Sequence, residues 1–109
     1  MKRTAAHTAL PMAVKRALAK LGDDLSNARK RRRITMAAMA ERAFVTRQTI
    51  ARVERGDPRV SMGIYATVMF VLGMTDRLAA LVDANVDRLG AILDAEQLPK
   101  RVRTPRNAP

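Results

Sequence analysis

The side chains in this 109-residue sequence best equipped for chemistry are Arg47, Gln48 and Arg52. Arginine offers a planar fork of donors that fits guanine O6 and N7, and glutamine pairs with adenine N6 and N7 in the same two-point manner. Gln48 and Arg52 stand four apart, so on a helix they share a face, with Arg47 beside Gln48 at its N-terminal end. That is the end by which a reading helix enters the major groove of DNA. Thr46, just ahead of it, is a good N-cap, and with the free N–H groups of the first turn it suits a phosphate. Thr49, Arg55, Arg59 and Ser61 follow close by and are expected to hold the sugar-phosphate backbone, which fixes register without reading sequence.

Other chemistry has little to work with. The sequence has one histidine, His7, near its N-terminus, and no cysteine. Disulfides and thiolate metal sites are therefore excluded, and no metal or cofactor is expected. Asp23 and Asp24 lack a basic partner at a catalytic spacing, and no glycine-rich phosphate loop occurs. An enzyme is not expected. The seven methionines fall mostly at helical core spacing and read as core filling.

A reading helix this short needs a scaffold. After Pro11, Val14, Leu18, Leu21, Leu25 and Ala28 recur in steps of four and three, which predicts a first helix running to about Arg33, with Gly22 a weak point in its middle. Thr35 caps a second, short helix, Met36 to Arg42, that turns Met36, Met39 and Ala40 inward. Ala43-Phe44-Val45 makes a tight connection to a third helix, Arg47 to Arg55, whose Ile50 and Val53 face inward and which Gly56 stops. Asp57-Pro58 opens a loop. Ser61 caps a fourth helix ending at Leu72, with Gly73 behind it. Thr75 caps a fifth, Asp76 to about Val82, with Leu78 and Leu81 inward, and a weaker helical stretch runs from Val86 to Ala95 with Leu89, Ile92 and Leu93. The chain thus divides into a flexible N-terminus (1–11), a helical DNA-binding domain (12–82), a C-terminal helical segment for dimer or partner contact (83–98) and a basic disordered tail (99–109). The fourth helix is apolar on more than one face. Ile64, Phe70 and Val71 are expected outside the monomer core, as a homodimer interface, unless segment 83–98 folds back over them.

The net charge is +11. Residues 1–73 hold net +10, residues 74–98 net −3 and residues 99–109 net +4. Concentrated positive charge suits a polyanion, because lysine and arginine release counterions when they neutralise phosphates. No apolar run approaches the ~18 residues of a membrane span, so a soluble, cytoplasmic protein without a membrane partner is expected. A non-specific cationic packaging or membrane-surface protein is the competing reading of charge alone.

The residues Thr35, Ala40, Ala43, Val45-Thr46-Arg47, Ile50 and Val53-Glu54-Arg55-Gly56 resemble the XRE family of phage Cro and repressor-like helix-turn-helix proteins. The resemblance spans about residues 18–82. It implies an all-α fold: a compact five-helix Cro/repressor-like helix-turn-helix domain, here with an extra C-terminal helical segment. It further implies base contacts at Arg47, Gln48 and Arg52, and an ion pair of Arg29 with Glu54 tying the first helix to the third. Two positions depart from the family. Phe44 stands where the turn usually has glycine, so either the turn is shaped differently or burial of Phe44 offsets a left-handed strain of roughly 1–2 kcal/mol. Met36 replaces the usual glutamine after the second-helix cap. The pieces Glu54-Arg55-Gly56-Asp57-Pro58, Ser61-Met62-Gly63, Val71-Leu72-Gly73-Met74, Asp76 to Leu81 and Leu98 to Arg103 look like HipB-type antitoxins. That likeness implies a repressor of its own operon that acts on a palindromic operator and binds a HipA-like serine/threonine kinase toxin. A stand-alone or phage-type regulator of the same family remains the alternative.

Overall fold

The computed structural model describes residues 9–96. His7, most of the expected flexible N-terminus and the basic tail lie outside the described residues. Those described are all helical apart from turns, with no strand among them: α1 (Met12–Arg31), α2 (Met36–Ala43), α3 (Arg47–Glu54), α4 (Met62–Val71), α5 (Thr75–Ala79), a 3-10 turn (Ala84–Val86) and α6 (Arg88–Glu96). They fall into two compact units, the first ending at Leu78 and the second starting at Ala79.

Three helix starts are set by side chains one residue upstream. The hydroxyls of Thr35, Thr46 and Ser61 accept from the N–H groups of Ala38, Thr49 and Ile64 at 3.0, 3.1 and 3.2 Å, satisfying donors that the helix cannot. The first four helices also end alike. A left-handed residue follows each, Arg33 (φ 55°), Phe44 (φ 59°), Gly56 (φ 71°) and Gly73 (φ 77°). The next N–H then reaches back five residues, from Ile34 to Arg29, Val45 to Ala40, Asp57 to Arg52 and Met74 to Met69, at 2.8–3.2 Å. This is the Schellman closure. Glycine makes it without strain at two of the four sites.

The core of the first unit gathers Leu25 and Ala28 from α1, Met39, Ala40 and Ala43 from α2, Ile50 and Val53 from α3, and Tyr65, Val68, Met69 and Leu72 from α4 and its end. Met39, Ile50, Val53 and Val68 are fully enclosed, and each such side chain contributes about 1.5–3 kcal/mol of hydrophobic stabilisation. α3 packs against both α1 and α2, and α2 also against α4.

Several expectations are corrected here. α1 ends at Arg31, because Arg33 leaves the helical region. Its apolar stripe is buried only in its C-terminal half; Val14 is exposed. Gly22 does not weaken the middle of α1 but is buried in an unbroken helix. Ile64 and Val71 are not outside the core: both are partly buried against it, and of the three proposed interface residues only Phe70 is exposed, at 69%. α5 is shorter than expected and Leu81 lies exposed. In the second unit Val86 belongs to the 3-10 turn, and Leu89, Ile92 and Leu93 are exposed on α6.

Candidate nucleic-acid interface

α3 has two faces with separate tasks. Ile50 and Val53 point into the core with no exposed surface. Arg47, Gln48 and Arg52 are exposed, and Thr49 and Ala51 are half-buried between the two faces. The three side chains with base-reading chemistry therefore share the outer face of a helix whose inner face is immobilised.

That immobilisation has two parts besides packing. The Arg29 guanidinium on α1 donates from Nε to Glu54 Oε2 at 2.6 Å and from Nη2 to Oε1 at 3.1 Å, and its Nη1 donates to the Ile34 carbonyl at 2.9 Å. Both side chains are nearly buried, 9% and 12% exposed. Hydrogen bonding to Glu54 raises the Arg29 pKa above its ordinary value against the cost of burial, so Arg29 keeps its charge, and the two-point contact bolts α3 to α1 near the C-terminal end of α3. The second part is a close backbone approach. A side chain on Gly22 would place its Cβ 2.6 Å from the Gly56 nitrogen and 2.7 Å from the Glu54 carbonyl oxygen, and one on Gly56 would strike the Leu18 carbonyl. Only glycine at both positions lets α1 lie against the end of α3.

The residues expected to touch phosphate fall into two groups. Arg55 is exposed at the C-cap of α3. Thr46, Thr49, Ser61 and Arg59 are already engaged within the chain. Thr46 and Thr49 share a hydroxyl contact at 3.0 Å in addition to the cap bond, and the Ser61 oxygen serves α4. Arg59 donates to Asp57 three times, from its backbone N–H at 2.8 Å, from Nε at 3.2 Å and from Nη2 at 3.1 Å. Asp57 is the residue that sequence reasoning missed, although an aspartate two residues ahead of a donor N–H in a loop is a recognised turn signal. Its carboxyl is held below the usual carboxylate range by hydrogen bonds from the Arg59 side chain and N–H, with help from the Arg59 and Arg52 charges. Asp57 thus braces the loop after α3, to whose last turn its own N–H is bonded at the Arg52 carbonyl, 3.0 Å, and a pocket lies among Arg52, Asp57, Arg59 and Val60. The buried Tyr65 completes the arrangement, donating its hydroxyl to the Asp57 carbonyl at 2.7 Å. Burial, and secondarily the Asp57 charge, pushes the Tyr65 phenol up to about 12.

The turn ahead of α3 overturns both alternatives offered for Phe44. Its backbone is left-handed, φ 59° and ψ 40°, so the turn keeps the shape that favours glycine. The ring is 92% exposed, so no burial offsets the strain. Met36, the other departure, is partly buried against the core and contributes packing where a glutamine would be polar.

Among the described residues no group of three or more metal-ligating side chains occurs, and no helix is long and apolar enough to cross a membrane. A family model described as a helix-turn-helix domain matches residues 20–82, more than half of the chain and all of α2, α3 and α4. No curated protein and no solved structure matches it.

Proposed function

The chain belongs to the helix-turn-helix domain family, of the XRE/Cro-like kind, and from that premise we propose that it is a sequence-specific transcriptional repressor. Arg47, Gln48 and Arg52 read base edges in the major groove. Thr46, Thr49, Arg55, Arg59 and Ser61 hold the phosphates on either side. The observation that carries this reading is the division of α3: three exposed side chains with two-point base chemistry on a helix clamped by Arg29–Glu54 and by the Gly22–Gly56 approach. Flexible arginines would serve a non-specific cationic protein equally well. A fixed helix is what sequence discrimination needs, because a bidentate contact tolerates little misplacement.

The protein acts as a homodimer on a palindromic operator, with the exposed Phe70 at the subunit contact; an isologous dimer matches two half-sites. Sedimentation equilibrium tests this, and a strict monomer in the presence of operator DNA would refute it. The likeness of its loop and helix-end pieces to HipB-type antitoxins supports a finer role: repression of its own operon together with a HipA-like kinase toxin, for which the acidic segment 74–98 offers a surface that DNA would repel. Co-purification with a kinase encoded next to it supports that role; a neighbourhood without one favours a stand-alone regulator.

The deciding experiment is footprinting and titration on the DNA upstream of its own gene. Arg47→Ala should weaken binding there by ~1–3 kcal/mol and far less on random DNA. Equal losses on both would leave a non-specific binder.

A further inference from the structure

Phe44 is the most exposed large apolar side chain among the described residues, and it occupies one of only two left-handed sites that are not glycine. The fold gains nothing from an aromatic ring there. The ring is uncovered, and glycine would make the same Schellman closure without strain, as Gly56 and Gly73 do. Outliers of this kind persist when something other than stability holds them. The frame around the ring is rigid. The Val45 N–H is bonded to the Ala40 carbonyl at 3.0 Å and its side chain packs against the core, while Ala43 on the other side is buried.

We propose that Phe44 is a DNA contact, its ring lying against the apolar edge of the duplex, thymine 5-methyl groups or deoxyribose, at the flank of the bases read by α3. The inference rests on the DNA-binding reading of α3. Phe44 precedes the Thr46 cap by two residues and Arg47 by three, within roughly 11 Å of Arg47 along the chain. A duplex that accepts the N-terminal end of α3 therefore lies within reach of the turn that carries the exposed ring. The neighbourhood also selects the partner. Arg42 and Arg47, both exposed, flank Phe44 in sequence, two residues before it and three after, with Glu41 the one acidic residue near it. A second copy meeting the ring head-on would bring the same two cations against them, whereas a phosphate backbone neutralises both while its sugar and methyl surfaces meet the ring. Apolar contact with thymine methyls is an ordinary means of reading sequence.

The test uses a duplex enriched by the wild-type chain from a randomised library. On it, Phe44→Gly and Phe44→Asn are compared with wild type; asparagine tolerates the left-handed backbone and keeps the turn stiff without the ring. The expected result is a pair of opposite effects. Phe44→Gly melts about 4–8 °C higher, because strain is relieved, while both variants bind about tenfold more weakly, because the ring's contact is lost. Replacing thymine by uracil in the duplex separates the two sources. A methyl contact makes wild type lose its advantage over Phe44→Gly, and a sugar contact leaves that advantage intact. Unchanged affinity of both variants, in a series where Arg47→Ala loses tenfold or more, overturns the proposal and leaves the DNA-binding reading standing. Failure of the wild-type chain to enrich any duplex overturns both. A fall in self-association without DNA, with affinity per assembled protein unchanged, assigns the ring to a protein contact and also overturns it.

Discussion

Arg29 is a cation taken almost wholly out of water, and it keeps its charge because Glu54 and the Ile34 carbonyl take three of its donors. Removing one partner of such a pair leaves the other buried and uncompensated, which costs about 3–5 kcal/mol. Arg29→Ala should therefore lower the urea midpoint by a large fraction of the protein's stability, and a midpoint at the wild-type value would contradict the role assigned to the pair. The exposed Lys20–Asp24 pair, at a similar distance of 2.6 Å, contributes little to stability, because water screens it. Tyr65 gives a pH signature. Its folded pKa, about 12, lies above its ordinary value of 10.0, so the protonated phenol is favoured in the fold. That contribution is complete below pH 10 and is lost as pH rises from 10 through 12, up to roughly 2–3 kcal/mol. Denaturation monitored between pH 9 and 12.5 (a range set by those two values) should show the fall in wild type and a much shallower one in Tyr65→Phe. Equal slopes would mean that Tyr65 does not carry the effect.

Among the elements, the capping residues were open to sequence reasoning and the crossings were not. Thr35, Thr46, Ser61, Gly56 and Gly73 act on backbone groups a few residues away, so their chemistry shows in a short window. Gly22 reads in the same window as a defect in a helix. Its purpose lies 34 residues on, at Gly56, and no local pattern encodes a close approach between distant segments. The stripe from Val14 to Ala28 is a similar case: periodicity marks the face that packs, but not how far the partner extends along it. α4 is a third case. Its apolar residues run nearly all round, and which of them meet the core depends on α2, so its sequence alone does not show that Ile64 and Val71 pack partly buried against the core. On the candidate site, residue chemistry singled out the outer face of α3, but the Asp57–Arg59–Tyr65 arrangement depends on a loop shape that three residues from two elements create together. The crossing gives a prediction. Gly22→Ala should separate α1 from α3 and destabilise by about 1–3 kcal/mol, and operator binding should weaken with it because α3 moves. A variant with wild-type melting and binding would show that the contact can relax.

For the whole molecule, charge and shape divide the work of binding. Net +10 is held by residues 1–73, the segment containing α1 to α4, against net −3 over residues 74–98. Affinity for any duplex should fall steeply with salt, with a slope of about −0.9 for each phosphate neutralised, and Arg55→Ala should reduce that slope by about one while leaving sequence preference intact. A change in preference with no change in slope would make Arg55 a base contact instead. The inner face of α3 holds the domain together, and in the function proposed above its outer face sets which DNA the protein prefers. Ile50, Val53 and Glu54 make the fold's contacts, and Arg47, Gln48 and Arg52 make none of those found within the chain core. Substitutions at Arg47 and Gln48 are therefore close to invisible to stability, and those at Arg52 remove only a charge that favours the Asp57 carboxylate. Selection can rewrite the target of such a protein a base pair at a time without passing through an unfolded intermediate, and an engineer can transplant the outer face of a relative's helix onto this one for the same reason.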